Sequence, residues 1–167
     1  MNAVDTINAF AAVSGIFAFM NTAWAWPLAE SLHFIGLSLL LGSVGIVDVR
    51  LLGWAKAIAL QDLHSITRWG IVGFVLNVVT GFAFFVSAPD QYLYNPAFQL
   101  KVLCMMFAFA NMLVFYAFVW RRASTMTTVP LLAKISAAIS LSAWIGVITF
   151  GRLITFYRPP ERWCFWC

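Results

Sequence analysis

Glu30 and His33 stand three residues apart in the run WAWPLAESLHFIGLSLLLGSVGIVDVRLLG, residues 24 to 53, which is otherwise largely apolar. Positions i and i+3 share a helix face, so a carboxylate lies one turn from an imidazole. Imidazole exchanges protons near neutrality and ligates metals through either ring nitrogen. Lys101 and Cys104 repeat the spacing in a second apolar run with Met105 beside them, and Arg152 lies near the end of a third. Acid, imidazole, base and sulfur on three apolar segments could hold a prosthetic group, a redox headgroup or a soft metal.

The elements that carry them are set by composition. Of the 167 residues, 63% are hydrophobic and 10% charged, against about 25% charged in a soluble domain. A water-soluble fold of this size leaves too much surface exposed to hide that much apolar material, so the solvent is lipid. Four runs, 26–49, 69–88, 97–120 and 131–157, have the roughly 20-residue length of a membrane-crossing helix. The expected fold is an all-α membrane protein, a four-transmembrane-helix bundle over 24–158. A short N-terminal interfacial helix (1–23) precedes it and an aromatic, Cys-bearing tail (159–167) follows.

Residues 1–23 lack the basic n-region of a signal peptide. Their apolar stretch of about twelve residues is too short for a core of about 30 Å. Val4, Ile7, Phe10 and Phe17 near one face predict a helix lying in the interface, with a tilted fifth span as the alternative.

The net charge of +4 does not indicate nucleic acid, because the basic residues sit singly or in pairs at the ends of apolar runs. Arg50, Lys56 and Arg68 flank the first loop, and Arg121, Arg122 and Lys134 the third. The second, SAPDQYLYNPAF, has no positive charge. The positive-inside rule then makes the first and third loops cytoplasmic and puts both termini outside. Arg158 and Arg162 in the tail pull the other way. Trp24, Trp26, Tyr92, Tyr94, Tyr157, Trp163 and Trp166 form the outer aromatic belt, and Trp54, Trp69 and Trp120 the inner one. Ser38 and Gly42 in the first span, and Ser136, Ser140, Ser142 and Gly146 in the fourth, are expected to let helices approach closely.

In this frame Glu30, His33, Lys101 and Arg152 converge in the outer half of the bundle. Each ionisable group there costs about 2.5–3.5 kcal/mol on insertion scales and persists where paired, solvated or used. Glu30 is expected to pair with Lys101 or Arg152. His33 is the candidate axial ligand to the iron of a haem b, with Gly36 one turn further in leaving room for a flat ring and Glu30 orienting the imidazole. Lys101 and Arg152 would anchor propionates. A quinone headgroup could use the same cluster, with hydrogen bonds from His33 and Lys101. The structural alternative is a buried histidine bonded to Glu30 or a backbone carbonyl.

His64 begins the second span at its other end, too far from His33 to share an iron with it. A Cu(I) site from His33, Cys104, Met105 and Met106 suits soft sulfur, yet consecutive helical residues point about 100° apart. Asn77 and Asn111 are expected to bond each other near the midplane. Cys164 and Cys167 could form a small disulfide in the tail.

The segments ESLHFIGLSLLLGSVGIVDVRLLG and VTGFAFFVSAPDQYLYNPAFQLKVL resemble an uncharacterised bacterial four-helix inner-membrane family. That family is distantly similar to copper-resistance D-type proteins and to HemJ-type haem-linked protoporphyrinogen oxidases. The resemblance runs over about residues 24–157 and rests on His33, Asp48-x-Arg50 and Phe98-x-x-Lys101. It implies a multi-pass protein of the bacterial inner membrane with periplasmic termini, and a haem to which His33 and Lys101 matter. The rest of the oxidase motif is not recognisable, so that activity is not implied. Two functions follow as expectations: a redox subunit passing electrons between a haem b or quinone and a periplasmic or membrane partner subunit, or a non-catalytic accessory subunit of a larger complex. A small copper or solute permease is the third.

Overall fold

The structure, a computed structural model, describes residues 3–58, 63–119 and 129–157. Among these, all regular structure is helical. Four helices are long and apolar enough to cross a membrane. They are α3 (Ala25–Leu52), α4 (Leu63–Ser87), α6 (Pro96–Val114), which continues as a π-helical turn over Phe115–Val119, and α7 (Leu131–Leu153), which tightens to a 3-10 turn over Ile154–Phe156. Shorter helices are α1 (Ala3–Val13), α2 (Ile16–Met20) and α5 (Pro89–Leu93). Trp120, Arg121 and Arg122, and the tail with Cys164 and Cys167, lie outside the described residues.

The expected N-terminal helix is two helices, broken where Gly15 adopts φ +73°. A left-handed residue cannot continue a helix, and glycine takes it without Cβ strain. With 11 residues α1 is about 16 Å long, short of the roughly 30 Å core. It is docked rather than loose: Ala11 and Met20 are fully buried, α1 and α2 pack on α4, and Phe10 meets Phe82 edge-on.

The first span runs past its expected end. Gly53, at φ +96°, closes α3 by donating its N–H to Arg50 O while Trp54 N–H reaches Val49 O. This paired closure satisfies the last carbonyls. The span expected to end at 49 thus runs to Leu52, and Asp48 is an interior helical residue and is buried. The α4 helix starts six residues before Trp69, and α5 occupies the loop between the second and third spans.

The packing is a chain of pairs. α3 packs along α4, α6 packs along α7, and α3 meets α7 between them. α4 and α6 make little direct contact. The tightest approach is at Gly36 of α3 and Gly73 of α4. A Cβ on Gly73 would lie 2.5 Å from Gly36 O and 2.6 Å from Leu40 N. Further along the seam a Cβ on Gly70 would meet the Ser43 side chain at 3.1 Å. Close contact of this kind, driven by packing rather than hydrophobicity, is what joins helices in lipid.

The small-residue expectation therefore held at Ser136, Ser140 and Gly146 in α7 but not at exposed Ser142, nor at Ser38 and Gly42 in α3. Ser38 donates to Phe34 O of its own helix, and nothing lies within 4 Å of a Cβ on Gly42. On the α6/α7 seam Asn111 Nδ2 donates to Ser136 O at 3.0 Å and Ser136 Oγ donates to Asn111 Oδ1 at 3.0 Å. Asn77 instead donates to Gly73 O within α4, so the expected Asn77–Asn111 bond is absent. Outward faces carry exposed Phe34, Ile71, Val79, Phe107 and Ile145, a surface that suits acyl chains.

Candidate functional site

The His33 end of the bundle is built from three spans. His33 lies eight residues into α3, Thr80 seven from the end of α4 and Lys101 five into α6, so all three sit about 8–12 Å from their helix ends. His33 Nδ1 is 2.8 Å from Thr80 Oγ1, and Thr80 Oγ1 donates its only hydrogen to Leu76 O at 2.7 Å. A hydroxyl already donating can only accept from the ring. With the Thr80 hydrogen directed at Leu76 O, the ring proton belongs on Nδ1 and the Nε2 lone pair is left available.

Around the ring, Phe84 stands edge-on at 5.8 Å. A Cβ on Gly81 would lie 3.6 Å from His33 Cε1. Lys101 is near enough for its charge to act on His33. Its side chain lies across Gly151 of α7, where a Cβ would be 3.6 Å from both Cδ and Nζ. Phe85 stacks on Phe98 at 5.7 Å and Tyr92 meets Phe98 edge-on at 5.4 Å, joining α4, α5 and α6 at this end of the bundle.

Of the four residues expected to converge, Lys101 lies near enough to His33 for its charge to act on the ring. Glu30 is exposed on α3, and Thr80, not Glu30, orients the imidazole. Arg152 is exposed on α7. No ion pair joins Glu30 to Lys101 or Arg152 among the described residues. Gly36 does not clear a face for a ring: a Cβ there would meet Asn77 Nδ2 at 2.6 Å and Gly73 O at 2.9 Å. Its missing side chain serves the helix crossing.

The copper set is dispersed. Cys104 packs on Gly146, where a Cβ would be 2.8 Å from Sγ; Met105 lines a cavity towards the other end; Met106 is 65% exposed. No trio of His, Cys, Asp or Glu gathers among the described residues. His64 stands in the first turn of α4, its side chain outside the described residues.

Thr80 was missed from sequence because a threonine in an apolar helix reads as filler. Its signal was the i, i+3 polar pair with Asn77 on a face that also carries Gly73 and Gly81. Thr80→Val keeps the shape and deletes the acceptor. The expected outcome is a mixture of His33 tautomers in the ¹⁵N spectrum of histidine-labelled protein, with a stability loss of about 1 kcal/mol. The chain has two histidines, so the His33 resonances can be assigned with one His64→Gln control.

Asn95 was missed too. It is 1% exposed. Its Oδ1 accepts from Ala97 N and Phe98 N, capping α6, while Nδ2 donates to Ile154 O at 3.0 Å and Tyr157 O at 2.9 Å. One side chain thus fastens the start of α6, and with it Lys101, to the end of α7.

No family model, no curated protein and no solved structure matches this chain.

Proposed function

We propose that this chain is a redox subunit of a bacterial inner membrane, binding a quinone headgroup at the periplasmic side of the bundle and exchanging electrons with a partner subunit. The observation that carries the reading is the contact of His33 Nδ1 with Thr80 Oγ1 at 2.8 Å, which fixes the ring and leaves Nε2 free of that bond. With Nδ1–H committed to Thr80, Nε2 accepts a hydrogen bond, and a proton, from a quinol hydroxyl. Lys101 donates to the second ring oxygen. The aromatic side chains Phe84, Phe85 and Phe98 suit a flat ring. Both termini facing the periplasm follows from the basic residues flanking the first and third loops.

A haem b is served less well. Nε2 suits an axial ligand, but the groove expected at Gly36 is taken up by α4. Lys101 lies against Gly151 and Met105 faces the other cavity.

The test is an absorption spectrum and a quinone titration on purified full-length protein. The expected result is no Soret band and saturable binding of a short-tailed ubiquinone, weakened at least tenfold by His33→Ala and by Lys101→Met. A Soret band lost in His33→Ala would replace the quinone with haem. A colourless protein that binds no quinone and co-purifies with membrane partners would leave the accessory role.

A further inference from the structure

Away from His33, a cavity of about 270 Å³ lies between all four spans. Its walls are largely apolar, with Phe74 from α4, Phe109 and Phe115 from α6 and its π-helical turn, and Trp144 from α7. Several of its polar groups are already committed. Asn111 and Ser136 bond each other, and Thr67 donates to Leu63 O.

Asp48 is the exception. It is 5% exposed, it lines the cavity, and its Oδ2 has no hydrogen-bond partner. Ser140 is its polar neighbour across the α3/α7 seam. Arg50, the obvious counter-charge two residues on, is turned away, its Nε donating to Ile58 O at 2.6 Å. Among the described residues no Lys or Arg lines the cavity.

Ser140 hydrogen-bonds the Asp48 carboxyl but leaves Oδ2 unpartnered. A buried carboxylate with no counter-charge is costly, and an occupant that supplies a positive N–H offsets that cost where an apolar one cannot. Aromatic walls add to the same preference, since ring faces attract cations within about 6 Å of the centroid. The volume falls just below the roughly 300–1,000 Å³ of drug-sized sites, which limits the occupant to a small molecule. α4 and α6 make little contact along the spans, which leaves a lateral route from the bilayer.

We infer that this cavity is a binding site for a small lipophilic ammonium cation, whose N–H bonds Asp48 Oδ2 while its apolar body lies among the aromatic side chains. The site is separate from the His33 layer and stands or falls independently of the quinone reading.

Calorimetric titration of the full chain in micelles, with 4-phenylbutylammonium as probe and neutral 4-phenylbutanol as its uncharged counterpart, tests the assignment. The cation should bind at least tenfold more tightly than the alcohol. Asp48→Asn should remove that preference while leaving the alcohol's affinity within about threefold. Ala108→Phe, which fills the cavity from α6 and leaves Asp48 in place, should abolish binding of both. Equal affinities for the two probes, an unchanged cation affinity in Asp48→Asn, or binding of neither probe would overturn the proposal. Should Asp48→Asn fail to fold by circular dichroism, undiminished cation binding in Ala108→Phe would overturn it alone.

Discussion

Replacing Gly73 by leucine should unpack the first two spans. A Cβ at this position meets backbone atoms, Gly36 O at 2.5 Å and Leu40 N at 2.6 Å, and backbone cannot rotate aside as a side chain can. The helices must separate over the crossing, losing the close contact that holds them together in lipid. Overpacking of a tight interface costs typically 1–3 kcal/mol and occasionally more. Because the obstruction is rigid on both sides, the expected loss is about 3 kcal/mol or above. Thermal unfolding in detergent checks it. The control is Gly42→Ala, on the partner helix α3, where nothing lies within 4 Å of a Cβ. Alanine is the better helix former by about 1 kcal/mol, so that variant should match or exceed the parent. Equal melting of Gly73→Leu and the parent would show that the crossing is not where α3 and α4 are held.

Asn95→Ala should be nearly as damaging, and at a different place. The amide caps α6 and bonds two carbonyls of the α7 end, all with Asn95 itself buried. Loss of an N-cap costs about 0.5–2 kcal/mol, and loss of the two bonds to the α7 end adds about 0.5–1.5 kcal/mol each. A combined loss of about 3 kcal/mol is expected, with amide exchange rising first at Ala97, Phe98 and residues 154–157. Asn95→Asp separates the two roles: it keeps the cap acceptor and gives up the donor, so it should retain the α6 protection and lose that at 154–157. On the proposed quinone reading, affinity should also fall with Asn95→Ala, because Lys101 is positioned by the helix whose start Asn95 holds.

Much of the architecture was legible in the sequence because a bilayer imposes its demands one segment at a time. Length and apolarity mark the spans, whatever packs against them. That is why 26–49, 69–88, 97–120 and 131–157 each find a long helix, with ends displaced where local chemistry extends them. Gly53 carries α3 beyond Asp48, and Pro96 with Asn95 sets the start of α6. Gly15 was visible as a residue but not as a break, since a left-handed turn there depends on α1 and α2 both finding α4.

The candidate site was half legible. His33 and Lys101 stood out because ionisable groups are rare in such helices, and Lys101 lies within electrostatic reach of His33. Glu30 and Arg152 carried the same signal and remain at the surface. Gly36 was noticed for the right property, its missing side chain, and given the wrong neighbour. A helix apolar on every side has no periodicity to say which face turns inward, so sequence could not tell a haem groove from a helix crossing. Asp48 looked like the end of a span for a related reason: charge near a terminus ordinarily means water.

Composition and segment length alone thus determined that this is a bundle of four lipid-length helices, because transfer of each helix into hydrocarbon depends on its own residues. Only the tertiary structure decided that Thr80 meets the His33 ring, that Gly73 receives Gly36, and that Asp48 lines a cavity with Oδ2 unpartnered. Those are contacts between faces, and in lipid apolarity does not distinguish one face from another; close fit and hydrogen bonds do.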